Sequence, residues 1–168
     1  SSGKMGCAIA NAAMLRGAEV TLVHGHLETE APMFVKRIPV TSAAEMFEAV
    51  TSISGEQDII VKAAAVADYT PVTIADNKIK KTEGDMSIPL KRTRDILSFL
   101  GEHKKAGQLI CGFSMETENL LANSQKKLIS KNCDMICANS LKVSGSGFGT
   151  DTNIVTIITE KLVEELPM

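Results

Sequence analysis

A chain of 168 residues, 44% hydrophobic and 23% charged, has the length and composition of one ordinary globular domain able to bury its own core. A net charge of −2 gives no electrostatic footprint for nucleic acid, and one Tyr, five Phe and no Trp leave little material for stacking bases. No signal-peptide pattern and no apolar run of membrane-spanning length is visible, and Cys7, Cys111, Cys133 and Cys137 lie in or beside apolar stretches. They read as reduced core residues, so a cytoplasmic location is expected, with no membrane and no nucleic-acid partner.

The first segment, Ser1–Gly25, opens with Ser-Ser-Gly-Lys-Met-Gly. Ser1 or Ser2 is suited to cap a helix, and Gly3 and Gly6 let the backbone approach a ligand. Met5, Ile9, Ala12, Ala13 and Met14 keep one apolar face, Gly17 ends the helix, and Glu19–His24 reads as a parallel-type strand. A short strand over Phe34–Pro39 and a helix from a Thr41 or Ser42 cap through Ser52 come next. Asp58–Ala64 predicts a central buried strand, which turns through Val66–Tyr69 into the basic arm Lys78-Ile79-Lys80-Lys81. The arm is expected to turn at Glu83-Gly84-Asp85 and return over Met86–Leu90 as an edge hairpin, with Lys78 and Lys80 on one face.

Arg92–Asp95 precedes a helix from Ile96 to about Lys105. A strand follows at Gln108–Phe113, a helix at Glu118–Lys131 and a strand at Cys133–Ala138; the loop Ser144–Gly149 leads to a last strand, Asn153–Thr159. Strands and helices alternating in this way argue for a parallel sheet covered by helices on both faces.

Several chemistries lack their residues. Gly3 and Gly6 do not make a full G-x-G-x-x-G, and the strand ending at His24 carries no ribose-binding acid, which argues against a nicotinamide reductase. Tyr69 has Thr73, not Lys, four residues on. No G-x-S-x-G elbow or Cys/His pair supports acyl-enzyme hydrolysis, and Cys133-x3-Cys137 has no second pair to complete a zinc site. What remains is a polyanion pattern: the Gly/Ser helix start, the Lys78–Lys81 arm, Arg92 with Arg94, and the i,i+4 pair Lys127 and Lys131. Each part has an ordinary reading too. The arm can be a solvated loop, and cations near a helix C-terminus are favoured by the helix dipole alone.

Five motifs then occur in order. They are SSGKMG (residues 1–6), AAAVADY (63–69), KIKK (78–81), GF-x-x-ET (112–117) and K-x3-KNCDMICAN (127–139). Together they resemble the phosphopantothenoylcysteine synthetase family, the phosphopantothenate–cysteine ligases of coenzyme A biosynthesis, over essentially the whole chain. The resemblance implies a three-layer α/β/α, Rossmann-like, mostly parallel sheet, a homodimer, and a flap at about residues 71–90. It implies CTP as co-substrate with Mg2+, an acyl-cytidylate intermediate, and 4'-phosphopantothenate and L-cysteine as substrates. An FMN-dependent phosphopantothenoylcysteine decarboxylase domain is an expected fusion partner or associate.

By the same resemblance, Lys78 is the catalytic flap lysine. Ala64, Asp68, Lys78, Thr93, Asp95, Ile96, Phe113, Lys127 and Lys131 bind CTP, Ser2, Gly3 and Ala65 meet phosphate or substrate, and the metal has no dedicated protein ligands. Two departures stand out. The family's N-terminal strand and an Asn ahead of Ser1 are missing, so the expectation is a single ligase domain, residues 1–168, truncated at its N-terminus. Arg94 stands where Pro is common. The alternatives are an inactive fragment that binds nucleotide and dimerises, or an NAD(P)-dependent Rossmann-type reductase.

Overall fold

A computed structural model describes residues 2–80, 84–116, 118–140 and 152–167. Helix α1 (Lys4–Leu15) starts at Gly3, whose φ of 78° is left-handed and which no side chain caps. Gly3 rather than a serine takes the cap position: Ser2 Oγ accepts the Lys4 N–H at 3.4 Å, and the Ser2 carbonyl accepts the Glu28 N–H at 2.9 Å. A side chain at Gly3 would also run into Leu27. Gly17, at φ 86°, closes the helix in the left-handed conformation that frees its N–H for the Met14 carbonyl.

Strands β1 (Thr21–His24) and β2 (Lys36–Pro39) pair in parallel, Thr21 beside Lys36. Helix α2 (Ala43–Ser54) is capped by Ser42, whose Oγ accepts the Glu45 N–H at 3.1 Å. The Glu45 carboxylate in turn accepts the Thr41 N–H at 2.9 Å, a reciprocal arrangement that satisfies two otherwise orphaned donors. Then come β3 (Ile59–Lys62), β4 (Tyr69–Pro71), β5 (Leu90–Arg92), α3 (Ile96–Glu102), β6 (Leu109–Glu116), α4 (Leu120–Ser130), β7 (Met135–Ser140), β8 (Val155–Ile158) and β9 (Val163–Glu165).

The main sheet has the order β3-β6-β7-β8-β9. It is parallel through β3, β6 and β7 and antiparallel at β8 and β9, so the chain has the expected α/β architecture with a mixed sheet. Register explains the core. Ile136 pairs with Gly112 on one side and Ile158 on the other, and with Ile110 these residues share one sheet face. Ile110, Ile136 and Ile158 are fully buried beneath α3 and α4, which contribute Leu97, Leu100 and Leu128. Each such side chain contributes about 1.5–3 kcal/mol relative to exposure.

Five expectations are corrected here. The strand read as central, Asp58–Ala64, is Ile59–Lys62 and forms one edge of the five-stranded sheet among the described residues; Ile59 on its other face is 63% exposed. The edge hairpin pairs lower than expected, Tyr69–Pro71 against Leu90–Arg92, so Met86–Pro89 is not strand. Lys78 and Lys80 are therefore exposed loop residues rather than neighbours on a strand face. Phe34 lies outside β2, exposed and at φ 64°, and α3 ends at Glu102 rather than near Lys105. Residues 144–149, the glycine-rich loop, fall outside the described residues.

Candidate functional site

Strand β3, the hairpin base and the facing ends of α3 and α4 enclose a cavity of about 340 Å³. It opens at the C-terminal ends of parallel strands, where α/β sheets place ligands. The hairpin base is pinned there by Thr93, whose N–H donates to the Asp68 carbonyl at 2.9 Å and whose hydroxyl donates to the Ala67 carbonyl at 2.7 Å. Asp68 is thereby carried to the cavity wall, beside Val66 and Tyr69.

Asp95 does two things at once. It is the N-cap of α3, with Oδ1 accepting the Ser98 N–H at 2.9 Å, and Oδ2 accepts from Lys131 Nζ at 3.0 Å. Burial alone would raise its pKa. The Ser98 N–H, Lys131 and Lys62 outweigh that cost and hold the carboxyl below its ordinary range. Lys131 also donates to Ser98 Oγ at 2.8 Å, and Lys127 donates to the Phe113 carbonyl at 2.8 Å. The i,i+4 lysine pair is thus not left to repel itself, since each ammonium already has a protein acceptor. Arg94, at the position where Pro was noted as common, lies over the Phe47 ring at 3.9 Å and pairs with Glu48.

Asp68, Thr93, Asp95, Ile96, Lys127 and Lys131 all line this one cavity, and Phe113 joins it through its carbonyl. Ala64 and Ala65 lie on the chain between β3 and β4, just outside the lining. Ser2 and Gly3 sit at the start of α1, also outside it, and Lys78 is exposed on the arm. Of the wall residues that escaped the sequence reading, Val66, Tyr69, Leu97 and Lys62, one is charged. Lys62, the last residue of β3, is half-buried in the cavity, and burial together with the Lys127 charge lowers its pKa, against the pull of Asp95 and Asp68. An ionisable residue closing an apolar strand just before Ala63-Ala64-Ala65 was the available signal.

The cysteines pair differently from the C-x3-C spacing. Cys111 and Cys137 lie 3.7 Å apart, sulfur to sulfur, across β6 and β7, while Cys133 faces the Lys131 carbonyl. The shared hydrogen bond and burial raise the Cys111 pKa, and burial raises that of Cys133 to about 11. Among the described residues no cluster of three or more His, Cys, Asp or Glu forms a metal site, and no helix is long and apolar enough to cross a membrane.

Residues 1–168 match the DNA/pantothenate metabolism flavoprotein C-terminal domain. The chain belongs to that family. It is 51% identical over 158 residues to the coenzyme A biosynthesis bifunctional protein CoaBC of Bacillus subtilis, covering 94% of this chain and 39% of that protein. The crystal structure of the C-terminal domain of a CoaBC protein superposes with a TM-score of 0.81 at 43% identity, over 99% of this chain and 74% of that one. A Cab2 mutant in complex with phosphopantothenate-cysteine shares the fold, with a TM-score of 0.79 at 16% identity, over 100% of this chain and 72% of that one. The chain thus spans about two fifths of the length of the curated relative. The family found agrees with the one the five motifs pointed to.

Proposed function

We propose that this domain catalyses CTP-dependent ligation of 4'-phosphopantothenate with L-cysteine, within coenzyme A biosynthesis, through an acyl-cytidylate. The observation that carries the reading is the convergence of Lys62, Lys127, Lys131, Asp68 and Asp95 on one cavity at the strand ends. The relatives support it through their names, CoaBC and a Cab2 protein holding phosphopantothenate-cysteine.

A carboxylate is a poor electrophile until one oxygen becomes part of a phosphoanhydride. In the first half-reaction a carboxylate oxygen of phosphopantothenate attacks the α-phosphorus of CTP, and the bond to pyrophosphate breaks. Negative charge grows on the departing pyrophosphate, where fixed cations lower the barrier. Lys127 and Lys131 lie within the cavity for that purpose, held in place by the Phe113 carbonyl and by Asp95. In the second half the cysteine amine attacks the acyl carbon, an amide forms, and CMP leaves. Lys78, on the exposed arm, is the residue we assign to close over the reacting phosphates.

The donor set suits a Mg2+ ion carried mainly by phosphates: among the described residues the Asp68 carboxylate has no hydrogen-bond or ion-pair partner, and no three-ligand cage competes. Such an ion, when bound, supplies further charge neutralisation. We also propose that the domain works as a homodimer, in the cytoplasm, with an FMN-dependent decarboxylase domain fused or associated.

The test is incubation of the chain with CTP, phosphopantothenate and cysteine, measuring pyrophosphate, CMP and the amide product, with ATP in a parallel series. All three products with CTP are expected. Pyrophosphate without CMP would reduce the chain to the first half-reaction, and the absence of pyrophosphate would remove the ligase reading for this chain in favour of a nucleotide-binding, dimerising fragment.

A further inference from the structure

We propose that Lys62 is a further phosphate-binding residue of this cavity, one that takes a nucleoside triphosphate or pyrophosphate directly. The inference rests on the nucleotide reading above and assigns a residue that the motifs do not contain.

The argument is one of partners. Four other cations line the cavity. Lys127 donates to the Phe113 carbonyl, Lys131 to Asp95 and Ser98, and Arg94 to Glu48, so each must give up or share a protein acceptor to reach a ligand. Arg92 is exposed and well solvated. Lys62 alone is half-buried yet makes no hydrogen bond and no ion pair among the described residues. Taking an ammonium partly out of water with no direct acceptor, only the more distant charges of Asp95 and Asp68, is unfavourable, and a polyanion entering the cavity repairs that loss. Across the ladder Lys62 stands beside Gly112, over which Leu97 and Ile136 pack, and its own side chain lines the cavity. The ammonium is held by the end of a strand, whereas the arm that carries Lys78 has no regular structure there.

The experiment uses the whole chain, with CTP, pyrophosphate and cytidine as separate probes in calorimetry. Lys62→Met keeps the stem and removes the charge. It is expected to weaken CTP and pyrophosphate by about 10–100-fold, the loss typical of a hydrogen bond to a charged group, while cytidine binding stays unchanged. CTP affinity unchanged in Lys62→Met, or an equal loss for cytidine, would overturn the proposal. A second measurement needs no variant: acylation of the Lys62 amine in the native chain should be blocked by CTP and pyrophosphate and not by cytidine. Labelling that ignores CTP would also overturn it. If the native chain binds neither CTP nor pyrophosphate, the nucleotide reading itself falls, and that result is distinct because it appears before any substitution is made.

Discussion

Gly101 lies inside α3, where the chain crosses the C-terminal end of α4. A Cβ built there would stand 2.8 Å from the Lys131 carbonyl carbon and closer still to its oxygen, against the roughly 3.5–4.0 Å at which carbon atoms pack comfortably. The obstacle is backbone, and Asn132 already ties the two helices together by donating to the Gly101 carbonyl at 2.9 Å. Gly101→Ala therefore requires a displacement of about 1 Å between α3 and α4. Overpacking of this kind costs about 1–3 kcal/mol, and an unyielding backbone contact belongs near the top of that range. Alanine's better helix propensity returns about 1 kcal/mol, leaving a net loss near 2 kcal/mol. For a domain of this size that lowers Tm by roughly 4–8 °C. Urea unfolding followed by circular dichroism, alongside thermal melts, measures both quantities. CTP affinity should fall as well, because Lys131 moves with its carbonyl. A Tm equal to or above that of the parent chain would refute the packing argument.

Gly6 makes the opposite case. Nothing lies within 4 Å of a Cβ built there, so Gly6→Ala within α1 should stabilise by about 0.5–1 kcal/mol in the same unfolding assay. Asp134 accepts from Lys104 at 2.6 Å and from the Ile110 N–H at 2.7 Å; burial pushes its carboxyl up, but these partners more than offset it and the pKa is lowered. A depressed carboxylate stabilises above the unfolded-state value of about 3.9 and loses that contribution as pH falls through the folded value. Denaturation between pH 6 and pH 3 should show a steeper acid loss in the parent chain than in Asp134→Asn, which is itself about 1–2 kcal/mol less stable at neutral pH. Lys78→Gln, on the exposed arm, should leave Tm unchanged and depress amide formation severely; near-normal turnover would remove its closing role. Asp95→Ala should cost about 1 kcal/mol as a lost helix cap and weaken CTP through the released Lys131, read by melts and calorimetry.

The helices were legible because their signals are local. Ser42 and Gly17 mark ends that the structure keeps, since a cap or a left-handed glycine is decided within a few residues. The place of β3 was not legible. Ile59 and Val61 are as apolar as the buried residues of β6, and only the sheet order reveals that they face outward at an edge. The hairpin register escaped for a related reason: Thr93, which locks it onto Ala67 and Asp68, is 26 residues away from its partner along the chain. In the site, Asp68, Asp95, Lys127 and Lys131 were named through motif order, whereas Lys62 was hidden by its setting in an apolar strand. The Cys111–Cys137 contact likewise depends on the pairing of β6 with β7, which no spacing rule reports.

The contacts between Lys131 and Asp95, 36 residues apart, and between Lys104 and Asp134, 30 apart, also bear on how this protein reaches its native state. Each requires closure of a long loop before any favourable contact repays the lost chain entropy. No isolated hairpin or helix pair holds the cavity, whose walls come from β3, the hairpin base, α3 and the end of α4. The topology predicts that the site is completed late, whereas α2, with its Ser42 cap, carries its start signal locally. Nucleotide added during refolding should therefore leave the folding rate nearly unchanged and slow unfolding instead.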